Sequence, residues 1–212
     1  MMGRAERAGR WAAYAAMTLL SAWLLWRALH PSHPFETDEM NRVMGHWSLR
    51  LLWIRLLITP LSRAIRMPSL RRWRRPLGLG AFLLGAEHSV HFILWGGLWP
   101  HRLNYLWQRP YQGLGLIALV LMIPLALTSH DAVVRRMPPR AWRKLHLLVY
   151  PVAILSVVHE VWAFAPVWGE AGIDCVLILA FVVARLVRQS RKPLPRNALL
   201  ESAAFSANLP RS

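Results

Sequence analysis

Apolar residues in this chain come neither in alternation with polar ones nor in narrow amphipathic stripes. They form long runs separated by short, arginine-rich connections. Six runs, about 11–29, 46–62, 77–98, 111–129, 145–165 and 171–187, approach the ~20 residues that a helix needs to cross the hydrocarbon core of a bilayer. A short turn containing Pro166 and Gly169 joins the fifth and sixth, a spacing that implies antiparallel neighbours in a bundle. The first run has no small-residue cleavage pattern at its end and continues into His-Pro-Ser-His-Pro (30–34), so it reads as a retained anchor. The pattern predicts an all-α membrane protein. A six-helix transmembrane bundle occupies 11–187, after a short N-terminal segment (1–10) and before a polar, proline-containing tail (188–212) expected to be flexible. There is no internal repeat and no second domain.

Composition sharpens this reading. Of 212 residues, 55% are hydrophobic and 12 are tryptophan, and the mean hydropathy is +0.29. The formal net charge of +16 by itself suggests nucleic acid, but charge placement excludes that partner. Basic residues gather before the first run (Arg4, Arg7, Arg10), between the second and third (Arg63 to Arg75), between the fourth and fifth (Arg135 to Lys144) and after the sixth. The alternate connections carry Glu36, Asp38 and Glu39, or only isolated cations such as Arg102 and Arg109. By the positive-inside rule both termini are cytoplasmic. The tryptophans read mostly as interfacial-belt residues. The single cysteine, Cys175, excludes an intramolecular disulfide or a CxxC metal site and reads as a small buried hydrophobe.

The topology assigns each histidine a depth. His88 lies 11 residues past Leu77, roughly 16 Å along a helix at 1.5 Å per residue. His159 lies 14 residues past Leu145, roughly 21 Å by the same measure. Both helices run inside to outside, so the depths are compatible, and two imidazoles facing each other across a bundle can hold a haem iron. The plain alternative is interhelical hydrogen bonding. His146 belongs to the cytoplasmic mouth of the fifth run, where the third run offers Arg74 and Arg75 but no histidine. On a straight helix its ring points roughly 140° from that of His159, although Pro151 between them permits a kink. His91, one turn from His88, reads as a core donor in preference to an alternative ligand, and most of His30, His33, His46, His101 and His130 as solvated or interfacial.

Two acids adjoin the proposed ligands. Glu87 precedes His88 near mid-membrane and Glu160 follows His159. An ionised carboxylate at the bilayer centre costs at least about 2.5–3.5 kcal/mol, so each is protonated or in a polar crevice, binds an imidazole of a neighbouring helix, or accepts a proton from a quinol.

Six stretches carry a family resemblance: LLITPLSR (56–63), RRPLGLGAF (74–82), RPYQGLG (109–115), LALTS (125–129), RAWRKLHLLVYPVAIL (140–155) and HEVW (159–162). In this order and spacing the chain resembles the haem-binding membrane subunits of bacterial protein-methionine-sulfoxide reductase systems, within the ferric-reductase-like transmembrane group. Its functional histidines fall where His88, His146 and His159 stand. The resemblance implies b-type haem and a flavin mononucleotide (FMN) in a multi-pass protein of the bacterial inner membrane. It further implies electron transfer from quinol or a flavin reductase to a periplasmic molybdenum-containing methionine-sulfoxide reductase. The departures from the pattern are Glu87, Pro151 and Glu160. Ferric reduction and a haem-free membrane role for the histidines are the competing readings. The first needs a flavin and nicotinamide module that the residues after Arg188 are too few to form.

Overall fold

The computed structural model describes residues 4–30, 34–95, 108–163 and 181. The chain divides into two units, Met1–Ile178 and Leu179–Ser212, and every element named below belongs to the first. Apart from residue 181, the sixth apolar run with Cys175 and the tail from 188 lie outside the described residues, as do His33 and His101.

The described elements are α1 (Arg4–Leu29), α2 (Pro34–Ala64), a 3-10 turn (Pro68–Trp73), α3 (Arg74–Trp95), α4 (Pro110–Leu127), α5 (Asp131–Arg136), α6 (Pro139–Leu145), a second 3-10 turn (His146–Leu148) and α7 (Val149–Ala163). No strand occurs among the described residues. Helices are the expected solution for apolar runs in lipid, because each backbone N–H and C=O then finds its partner within the segment.

Pro110–Leu127 and Pro139–Ala163 are long and apolar enough to cross a bilayer by composition alone, with mean hydropathies of 1.8 and 1.6. The helices α1, α2 and α3 have 26, 31 and 22 residues, sufficient length at 1.5 Å per residue for a core ~30 Å thick. Arg50 and Arg55 in α2, and Glu87, His88 and His91 in α3, dilute their apolar character. The surface of α4 is informative. Ala118, Met122 and Leu125 are buried, yet Ile117, Val120, Ile123 and Leu127 on its other faces are exposed. A helix apolar all round is one whose outer face meets lipid rather than water.

Packing organises the unit into two helix pairs. The most extensive contacts are those of α2 with α3 and of α4 with α7; contacts between the pairs are fewer, and α1 leans on α3 and α2. Ser48 of α2 donates to the Ala81 carbonyl of α3 at 2.7 Å, and Ser21 of α1 donates to the Glu87 carboxylate of α3. At one end Arg75 pairs with Asp131 at 2.6 Å. That contact places the arginine-rich connections 63–75 and 131–144 at the same end of the bundle, as their shared charge requires.

Two boundaries differ from the sequence pattern. The run 46–62 is the second part of a longer helix that already begins at Pro34, because the polar residues Glu39, Asn41 and Arg42 hide its first turns. The run 145–165 is not one continuous helix. It breaks at His146–Leu148 into a 3-10 turn, and Pro151 then falls in the first turn of α7, where its missing N–H costs no helical bond.

Candidate functional site

His88 projects from α3 and His159 from α7, one from each helix pair. Their ring centres are 6.2 Å apart and their planes cross at 73°. A first-row metal–imidazole bond is about 2 Å long, with the ring centre another ~1 Å beyond the nitrogen, so two rings ligating one ion from opposite sides stand about 6 Å apart. The observed separation fits an ion between them, and it also lies within the range of an edge-to-face ring contact.

Each ring is oriented in the same way. The Nδ1 of His88 is 2.8 Å from the Asn41 carbonyl on α2, and the Nδ1 of His159 is 2.7 Å from the Tyr111 carbonyl on α4. A carbonyl only accepts, so Nδ1 carries the proton in both rings. That leaves each Nε2 with its lone pair available as a ligand. Four residues beyond each carbonyl stands a glycine. A Cβ on Gly45 would lie 3.2 Å from Nδ1 and Cε1 of His88, and a Cβ on Gly115 would lie 3.0 Å from Nδ1 and Cε1 of His159. Each imidazole is therefore seated in a cradle made of one helical turn: a carbonyl that fixes its tautomer and a glycine that admits its edge. The two cradles, on α2 and α4, are equivalent.

A cavity of about 480 Å³ opens between the helix pairs, bordered by both histidines, both cradle glycines, Leu49, Leu52, Phe92, Leu119 and Met122, with Arg42 and Arg109 also on its wall. Its size and mostly apolar lining are those of a site for an organic cofactor. The arginines supply positive charge for anionic substituents.

His46 corrects the sequence reading. Expected at a helix end and solvated, it is buried inside α2, and its Nδ1 lies 2.6 Å from Oε1 of the equally buried Glu160. Glu160 thus lies against an imidazole from a neighbouring helix, one of the roles open to it. Glu87 instead meets the Ser21 hydroxyl. His91 is buried within α3.

His146 stands apart from this cavity, in the 3-10 turn before α7. Its ring lies 4.0 Å from the Trp142 ring at 31°, and its Nε2 is 3.2 Å from Oγ1 of Thr128. That hydroxyl already donates to the Pro124 carbonyl at 2.6 Å, so Nε2–H of His146 donates to it in turn. The geometry brings together two of the three histidines singled out from the sequence and leaves the third at the arginine-rich end. Sequence reasoning missed Gly45, Gly115 and the two carbonyls. Gly115 and Tyr111 fall within the stretch RPYQGLG (109–115), without a role assigned to either.

Comparison with known proteins identifies the family. Residues 44–157 match the model of the ferric reductase like transmembrane component. The chain belongs to the ferric-reductase-like transmembrane family. The matched region contains His46, His88 and His146 and ends just before His159. Among curated proteins the chain is similar to the protein-methionine-sulfoxide reductase heme-binding subunit MsrQ of Caulobacter vibrioides, 40% identical over 65% of this chain and 67% of that protein. The MsrQ subunit of Azospira oryzae is 36% identical over 84% of this chain and 79% of its own length. That of Xanthomonas campestris is 37% identical over 71% and 72%. MsrQ is by its name a haem-binding subunit of a methionine-sulfoxide reductase. The family membership and the two apolar helices make this chain a membrane protein.

Proposed function

We propose that this chain is the haem-carrying membrane subunit of a protein-methionine-sulfoxide reductase system, with b-type haem held between His88 and His159. The observation that carries the reading is the pair of equivalent cradles, which leave Nε2 free on two imidazoles whose ring centres stand 6.2 Å apart. The residues fit the group: two neutral imidazoles for iron, an apolar cavity for a macrocycle, and Arg42 and Arg109 for carboxylate substituents. When bound, haem supplies reversible one-electron chemistry at iron. The protein orients the ligands, excludes water with Leu49, Leu52, Phe92 and Met122, and separates the site from the arginine-rich end by most of the helix length.

In this reading six spans occupy 11–187 with both termini cytoplasmic, in a multi-pass protein of the bacterial inner membrane. Segments 1–10 and 188–212 flank the bundle. The donor is quinol or a flavin reductase, with His146 at the donor side and an FMN near it. The acceptor is a periplasmic molybdenum-containing reductase that repairs oxidised methionine. The similarity to MsrQ subunits supports the assignment to a sulfoxide reductase system. A reduced-minus-oxidised spectrum of the purified chain tests it: b-type bands with low-spin character are expected. A colourless, iron-free protein that is otherwise folded overturns the haem reading.

A further inference from the structure

The connection between α2 and α3 presents apolar and cationic side chains together on the surface. Its 3-10 turn, Pro68–Trp73, buries none of its residues, and Ile65 and Met67 just before it are 48% and 49% exposed. Leu61, one turn earlier on α2, is exposed to the same degree. Between them stand Arg63 and Arg66, with Arg71 following in the turn, all exposed. No acidic residue occurs between Glu39 and Glu87. The neighbouring connection at this end, residues 131–144, has one acid, Asp131, which pairs with Arg75 at 2.6 Å.

The segment is held close to the bundle. The Ile65 N–H donates to the Leu61 carbonyl at 3.0 Å, and Nε of Arg71 donates to Oγ of the buried Ser62 at 3.2 Å. The turn is thus fastened to the end of α2, and its apolar side chains stay level with the end of a helix long enough to span a bilayer. At that level the medium changes from acyl chains to headgroups. Apolar side chains can enter the boundary there, and arginines meet phosphates.

The backbone sets Arg66 apart. Among the described residues it is the one non-glycine residue with positive φ, at 56°, just beyond the end of α2, where helices commonly place a glycine. Glycine would hold this conformation without strain. Strain retained at a residue points to a use for its side chain, here an exposed guanidinium between Ile65 and Met67. An acidic soluble protein would answer the arginines alone. An anionic leaflet answers the arginines and the apolar side chains together.

We propose that residues 61–71 form an in-plane membrane contact selective for anionic phospholipids. Leu61, Ile65 and Met67 enter the acyl boundary, and Arg63, Arg66 and Arg71 bind headgroup phosphates through charge-assisted hydrogen bonds. The contact does not depend on haem or on the identity of the electron donor.

The test uses the full chain in nanodiscs of phosphatidylcholine alone or mixed with phosphatidylglycerol. A bimane label at Met67→Cys, in a Cys175→Ser background, reports depth. In the mixed membrane, doxyl-labelled lipid should quench it and aqueous acrylamide should not. Native mass spectrometry of the unlabelled chain counts retained lipids: Arg63→Gln and Arg66→Gly should each lower phosphatidylglycerol retention about fivefold. Arg66→Gly keeps the test decisive if Arg63→Gln folds poorly, because glycine suits the left-handed backbone. Thermal unfolding no worse than wild type, together with lost lipid, supports a role for the charge itself. A label open to acrylamide and untouched by doxyl lipid in both membranes overturns the proposal and leaves the segment to a soluble partner. Equal lipid quenching in both membranes, with phosphatidylglycerol retained by both arginine variants, also overturns it, since insertion would then be apolar alone.

Discussion

His46 of α2 and Glu160 of α7 meet at 2.6 Å within the bundle, and this contact ties one helix pair to the other beside His159. Both residues line the cavity, and both are more than nine-tenths buried. Their contact lies at the wall of the cavity and joins α2 to α7.

Removing one partner of a buried pair costs about 3–5 kcal/mol, whereas removing both together costs much less. Glu160→Leu is therefore expected to destabilise the protein by roughly 3 kcal/mol, and His46→Leu combined with Glu160→Leu to recover most of that loss. Thermal unfolding in detergent, followed by circular dichroism, measures both. Additive losses in the double variant would show that the two residues act separately.

The glycine cradles make a size prediction with an internal control. Gly115→Ala sets a methyl 3.0 Å from the His159 ring, which the ring can meet only by moving a few tenths of an ångström. Haem occupancy should fall several-fold, and in Gly115→Val nearly to zero. Gly113 has nothing within 4 Å of an added Cβ, so Gly113→Ala should leave occupancy unchanged. Pyridine haemochrome assays on equal amounts of protein distinguish these cases.

Replacing either ligand should abolish the low-spin spectrum. His88→Ala and His159→Ala are each expected to insert normally yet lose low-spin bands, because neither ring has a substitute on its own cradle. Electron paramagnetic resonance of the oxidised protein reads the change. Full haem retention in His159→Ala would remove it from the ligand set.

His146→Ala should leave most of the haem in place and slow its reduction, since the imidazole bonds to Thr128 outside the cavity. Stopped-flow reduction by a quinol analogue or a reduced flavin is the measurement. A variant that instead lost half of its iron at unchanged expression would make His146 a second haem ligand.

Much of the helical layout was legible because lipid leaves the backbone so few options. The run 111–129 and the helix Pro110–Leu127 nearly coincide, and the compatible depths of His88 and His159 foreshadowed their meeting. What escaped was polar structure inside helices. His46 looked solvated because the first turns of α2 carry Glu39, Asn41 and Arg42, so the apolar run begins well after the helix does. The break at His146–Leu148 was suggested only by Pro151, and nothing in the sequence signalled that Trp142 would pack on His146 there. Gly45 and Gly115 gave no warning, since glycine in a helix usually reads only as a weak point.

Because the rings of His88 and His159 both give their Nδ1 protons to main-chain carbonyls, the orienting bond is written in the helix itself. Any amino acid at position 41 or 111 supplies the same acceptor. Drift there can leave the ligand tautomers untouched, while a single added methyl four residues later disturbs them. The centre is thus buffered against changes of chemistry and vulnerable to changes of volume. An engineer wishing to shift its properties gently has more freedom at Asn41 and Tyr111 than at the glycines that follow them.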